Sequence, residues 1–269
     1  MPKHSQRSSR TDNPECAIAF DRVRFSVNGA EILKEISLRI DSGEFVLILG
    51  PNGAGKTTLI RIINGLITPT SGTVHLFGRQ LLPANAKNLR RRIAYLPQDI
   101  AVDVRIPITV DEVVGIGRLA HRSTLKGFRT QDQEIIDSAM EAVGVHDLRK
   151  RPFGQLSAGQ KQKVSLARAL AQEARVMLLD EPLNNLDPQA QEDICQTIDH
   201  IYGSTKKTIL LVTHLLERIP QSSGRALLLR DGSVAGSVDS ARTREKDFQF
   251  ALYGARPNPD LGAMMRSTG

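Results

Sequence analysis

Cysteine is nearly missing from this chain. Cys16 and Cys195 are the only two in 269 residues. They lie far apart, with no second Cys or His at ligand spacing. That argues against a disulfide scaffold or a zinc site and fits a reducing cytosol. Long apolar runs are missing too. The longest, such as Phe45–Leu49, have the length of core strands, far short of the roughly 20 residues a membrane helix needs. The first ten residues lack the apolar centre of a secretory signal. A soluble chain is therefore expected, with any membrane role exercised through a partner. Tryptophan is absent, aromatics make up 4% of the residues, and no internal repeat is visible.

What the chain does have is positive charge. Lys and Arg number 36 against 29 Asp and Glu, a net +7. Such an excess suits an anionic partner, whether a nucleotide, a lipid surface or nucleic acid, but it also suits an ordinary basic protein. Arg90, Arg91 and Arg92 form one charge run, read first as a solvated face.

Residues 1–14 are polar and basic, and a disordered tail is expected there. Strand-like runs follow at Ala17–Phe25, Glu31–Ile40, Phe45–Leu49, Gly72–Phe77 and Arg92–Leu96. After Gly53 to Gly55, Leu59, Ile62, Ile63 and Leu66 recur at helical spacing. The middle, residues 99–155, reads as a mainly helical insert, with capping boxes at Thr109–Glu112 and Thr130–Gln133 and a helix stop at Gly144. Strand and helix then alternate again. Val176–Leu179 and Thr208–Thr213 are strands, Asp187 caps a helix with Pro188 at its first position, and Asp231-Gly232 turns a hairpin. The expected organisation is one domain over 15–240, then a C-terminal extension over 241–269.

Three motifs carry chemistry. Gly50, Pro51, Asn52, Gly53, Ala54, Gly55, Lys56, Thr57 and Thr58 satisfy the phosphate-loop pattern, after a strand and before a helix. There backbone N–H groups wrap phosphates, Lys56 reaches the β- and γ-phosphates, and Thr57 ligates Mg²⁺. Asp180 and Glu181 leave the end of a buried strand, where parallel sheets bind ligands. Asp180 is placed for the Mg²⁺ shell and Glu181 for the attacking water. Leu156, Ser157, Ala158, Gly159 and Gln160 form the third motif. Taken alone, Ser157 to Gln160 is a capping box, and a plain helix start is then the favoured reading.

In this order the motifs resemble the ATP-binding subunit of ABC transporters, over Ala17 to Val238. The resemblance implies an α/β fold: a P-loop NTPase (RecA-like) core with an antiparallel β-subdomain and an inserted α-helical subdomain. It implies ATP and Mg²⁺ as cofactors. Gln98 is implied to contact Mg²⁺ and the attacking water, and His214 the γ-phosphate. Leu156 to Gln160 are implied to close on ATP held by the opposite subunit of a head-to-tail homodimer, and Asn185, Leu186 and Asp187 to link the two sites. Glu181, His214 and Gln98 form the implied catalytic set.

The pattern has two departures. Ala158 replaces the commoner glycine, which is tolerated if its φ stays negative. Val27 stands where the family usually has an aromatic against adenine. Residues Ile106 to Arg118 resemble the matching segment in ATPases of zinc and manganese importers, which favours transition-metal uptake. Asp103, Glu112 and His121 fit no ligand spacing and read as surface. The implied partners are integral membrane permease subunits and a periplasmic or extracellular solute-binding protein, with no nucleic acid expected. The implied place is the cytoplasmic face of the membrane. The alternatives are an iron-complex or other importer ATPase, or a non-transport ABC ATPase acting on nucleic acid or ribosomes.

Overall fold

The computed structural model describes residues 15–98, 106–121 and 129–244. The expected tail 1–14 lies outside them, as do Asp103 and most of the extension 241–269.

Sequence alternation separates two sheets. β1 (Cys16–Val27) and β2 (Ala30–Asp41) pair antiparallel through an Asn28-Gly29 turn in which both residues have positive φ, 50° and 81°. Turns of this kind match the twist of a hairpin. β3 (Phe45–Leu49), by contrast, is buried at every position, as a strand covered on both faces must be. α1 (Lys56–Ile63) follows it, then β4 (Ser71–Leu76) and a two-residue β5 (Arg79–Gln80). The first sheet has the order β2-β1-β4-β5.

α2 (Pro83–Arg90) begins with Pro83 at its first position and leads into β6 (Ile93–Leu96). The insert then supplies α3 (Val110–Gly115) and α4 (Thr130–Ala142). Its base is closed by a bridge between Thr109 and Pro152. The Thr109 box is present, with its hydroxyl accepting from the Glu112 N–H and the Glu112 carboxylate accepting from the Thr109 N–H. The second box is displaced by one residue: Arg129 is the cap, and its N–H donates to Asp132 Oδ2 at 3.1 Å. Asp132 is bound by Arg118 as well, which draws the first turn of α4 one residue toward that guanidinium.

α5 (Ala158–Ala171), β7 (Val176–Asp180), α6 (Pro188–Thr205), β8 (Thr208–Val212), β9 (Arg225–Arg230) and β10 (Ser233–Asp239) complete the chain. The second sheet runs β10-β9-β3-β8-β7-β6, parallel throughout except for the β10 edge. Alternate residues of its central strands feed two separate cores. Phe45, Leu47, Leu49, Met177, Leu179, Ile209 and Leu211 face the insert, α5 and α6. Val46, Ile48, Val176, Leu178, Leu210 and Val212 face α1 and the antiparallel sheet. The carboxyl ends of β3, β7 and β8 consequently emerge side by side, as parallel register demands.

Candidate active site

The phosphate loop bridges β3 and α1. Two of its glycines are required by close approach. A Cβ on Gly50 would stand 2.1 Å from the Leu229 carbonyl oxygen, and one on Gly55 would stand 2.6 Å from Leu33 Cδ2. Gly55 caps α1 at φ 98° and offers no side-chain acceptor to the helix. The first N–H groups of α1 are thus left for a ligand. Lys56 is 5% exposed. Its ammonium donates to the carbonyls of Gly50 (2.8 Å) and Pro51 (3.0 Å) and lies 3.9 Å from Glu181 Oε1. Burial lowers its pKa, and the Glu181 and Asp180 carboxylates oppose that shift.

β7 ends on Asp180 in register with Val212 of β8. Asp180 is 1% exposed. The Thr57 hydroxyl donates to its Oδ1 at 3.3 Å and the Tyr95 hydroxyl to its Oδ2 at 3.2 Å. Burial raises the Asp180 pKa, while these two bonds and the charge of Arg61 pull it back. Burial, followed by the neighbouring Asp180 charge, pushes Tyr95 up to about 12. The phenol therefore stays protonated and acts as donor.

Glu181 turns the corner out of the strand at φ 51°, with its N–H on the Val212 carbonyl at 3.0 Å. The ring Nδ1 of His214, two residues past β8, lies 2.9 Å from Glu181 Oε2. The Asn184 amide donates to the same oxygen.

These groups border one open cleft of about 470 Å³, lined by Asn52, Gly53, Gly55, Lys56, Thr57 and Thr58 together with Gln98, Glu181, Asn184, His214 and Ile32. The loop, Gln98, Glu181 and His214 are thus brought together from four separate stretches of chain. Val27 is not on this wall. It is 46% exposed at the end of β1, and Ile32 supplies the aliphatic surface instead.

The signature residues sit elsewhere. Leu156 is buried, and the Ser157 hydroxyl accepts from the Gln160 N–H (3.2 Å) while Gln160 Oε1 accepts from the Ser157 N–H (3.1 Å). Ala158 is the first residue of α5 and has no positive φ. A Cβ on Gly159 would meet Ala190 Cβ at 3.1 Å, so this segment packs against the start of α6. Asp187 caps α6 by accepting from the Ala190 N–H at 2.9 Å, Leu186 packs on the core, and Asn185 turns at φ 60°. Neither segment borders the cleft of its own chain.

The family model described as ABC transporter matches residues 33–184. The chain belongs to the ABC transporter family. ABC ATP-binding domains hydrolyse ATP, dimerise and work with membrane permease subunits. The chain is 34% identical over 220 residues to the high-affinity zinc uptake system ATP-binding protein ZnuC of Bacillus subtilis, covering 81% of this chain and 93% of that one. It is 36% identical over 229 residues to the manganese transport system ATP-binding protein MntB of the same organism, covering 85% and 89%. Among solved structures it resembles a dimeric, post-hydrolysis state of the ATP-binding cassette MJ0796 bound to ADP and Pi. That likeness has a TM-score of 0.71 at 27% identity and covers 83% of this chain and 98% of that one. Among the described residues of this ABC ATPase, no helix is long and apolar enough to cross a membrane.

Three residues of the site escape a reading of the motifs. Asn184 is returned to Glu181 by a tight turn, its N–H on the Glu181 carbonyl at 3.2 Å. Pro182 at the second position of that turn is the signal. Tyr95 is the one polar-tipped side chain on β6, and a buried hydroxyl needs a partner. Ile32 gives no local signal.

Proposed function

We propose that this chain is the ATPase subunit of an importer for transition-metal ions, zinc or manganese, acting with a separate permease and a solute-binding protein. The working unit is the cassette over 15–240, seated on the cytoplasmic face of the membrane through the permease. The observation that carries the ATPase chemistry is the convergence of Lys56, Thr57, Glu181 and His214 on one cleft, with Asp180 bonded to Thr57 behind its wall. The metal specificity rests on the zinc and manganese relatives.

Each residue then has a physical task. The loop N–H groups and Lys56 take the β- and γ-phosphates, the ammonium exchanging loop carbonyls for phosphate oxygens. Thr57 Oγ1 and Asp180 Oδ1 lie 3.3 Å apart and form a hard-oxygen pair. Mg²⁺ is commonly held by one or two carboxylates with substrate phosphates rather than by a protein cage, and among the described residues no cluster of three or more such ligands exists. The pair therefore fits Mg²⁺, with Gln98 at the cleft rim. Bound there, the ion neutralises phosphate charge.

Glu181 accepts the proton of the attacking water or orients it. As a carboxylate it only accepts, so His214 Nδ1 carries a proton toward it. Leu156 to Gln160 and Asn185 to Asp187 serve the neighbouring copy's nucleotide, because they do not face their own loop. One motif set per chain makes a two-fold homodimer the simplest closed assembly.

Glu181→Gln tests the chemistry. It should keep ATP binding within about twofold and lower turnover by roughly 100- to 10,000-fold, and hydrolysis near the normal rate would remove Glu181 from the role. A deletion strain tests the cargo. Growth failure under zinc or manganese limitation, rescued by the metal, is expected. Failure under iron-complex or cobalamin limitation would point to the rival importers. Nuclease-sensitive co-purification with ribosomes or DNA, in place of a permease, would point away from transport.

A further inference from the structure

Behind the cleft wall, against Asp180, stands a polar group that the chemistry above leaves without a task. Tyr95 lies on β6, which pairs with β7 in parallel register, Tyr95 opposite Leu178 and Leu96 opposite Leu179. Its ring packs against the core cluster that contains Val176 and Leu178. Its hydroxyl reaches the last residue of β7, donating to Asp180 Oδ2 at 3.2 Å. On the other side, the Thr57 hydroxyl takes Oδ1 at 3.3 Å. The two carboxylate oxygens therefore have separate partners on opposite sides. With Asp180 1% exposed, water is poorly placed to substitute for either. Turning the carboxylate about its last bond would break both contacts at once.

The hydroxyl does little for packing. Phe fills the same strand position with the same ring and has strand propensity of its own. What the oxygen adds is a direction for Asp180. Partners of this kind, which hold a ligating side chain from behind, orient metal ligands in many sites.

We propose that Tyr95 is a positioning residue for ATP hydrolysis: by holding Asp180 Oδ2 it turns Oδ1 toward Thr57 and presets the oxygen pair for Mg²⁺. The inference rests on the assignment of Mg²⁺ to Thr57 and Asp180.

The test uses the full chain and the non-hydrolysed analogue AMP-PNP, with affinity measured by calorimetry in EDTA and across a Mg²⁺ titration. Tyr95→Phe should leave the EDTA affinity within about twofold and raise the Mg²⁺ concentration at half-effect by about tenfold. In an Asp180→Asn background the same substitution should add nothing, since the interaction it removes is already altered. An unchanged Mg²⁺ curve for Tyr95→Phe would overturn the proposal. So would equal losses with and without Mg²⁺, which would mark a packing role, or an undiminished effect of Tyr95→Phe in the Asp180→Asn background. Asp180→Asn alone separates the two levels. If it leaves the Mg²⁺ curve unchanged, the metal assignment itself fails. If it shifts the curve while Tyr95→Phe does not, only the role of Tyr95 fails.

Discussion

Two helices of this protein start on glycine-bearing turns, and they are finished in opposite ways. α1 begins after Gly55 with no side-chain cap. α5 begins after Ser157 with a closed capping box, each of its two side chains satisfying the other residue's N–H. The open start lies in the cleft with Lys56, and the closed start lies outside it. An uncapped helix end is tolerable where a phosphate will provide the acceptor. A capped one is stable by itself and can await a ligand from another molecule. The glycines differ likewise. Gly50 and Gly55 are wedged against backbone and side chain of their own fold, whereas Gly159 meets only a methyl at 3.1 Å.

Lys56→Ala should disturb this contrast most. Losing a buried charge-assisted donor costs about 2–3 kcal/mol of binding, or roughly 100-fold in ATP affinity by equilibrium titration. Unchanged affinity would show that the open helix start suffices alone. Ser157→Arg comes next, and should leave ATP affinity of the monomer within about twofold while abolishing ATP-driven dimerisation in size-exclusion chromatography. Normal dimers would mean that the closed start is only a cap. Gly50→Ala should then destabilise the fold by about 1–3 kcal/mol through overpacking. Gly159→Ala, gaining up to about 1 kcal/mol of helix propensity against mild crowding, should stay within about 1 kcal/mol of the parent in urea unfolding. Equal losses at both glycines would erase the distinction. Ser157→Ala has the smallest expected effect, about 1 kcal/mol of stability from the lost cap, read from the same urea curves.

Much of the contrast is legible in the sequence, because both helix starts are local. Gly50 to Thr58 and Ser157 to Gln160 declare themselves within nine residues, and β3, β7 and β8 do so by unbroken apolar runs. What escapes depends on packing between distant segments. Val27 and Ile32 are neighbours along one hairpin, and only the approach of β2 to the phosphate loop decides which borders the cleft. The contact from Tyr95 to Asp180 joins residues 85 positions apart, and its geometry follows from strand register, which no local pattern announces. The displaced cap of α4 has the same origin, since Arg118 holds Asp132 from outside the helix. α2 and β5 were too short and too polar to stand out, although Pro83 at a helix start was a usable sign.

The left-handed backbone at Glu181 has a consequence for how this activity can be lost. Glutamate pays a conformational penalty at φ 51° that glycine does not, and that asparagine and aspartate feel less. Replacement by any of these three would remove the carboxylate or shorten it while easing the chain around the corner. Backbone geometry alone therefore does not favour the reactive group at this corner. A change to Asn or Gly here would relax the corner but give up the carboxylate's contacts with His214, Asn184 and Lys56.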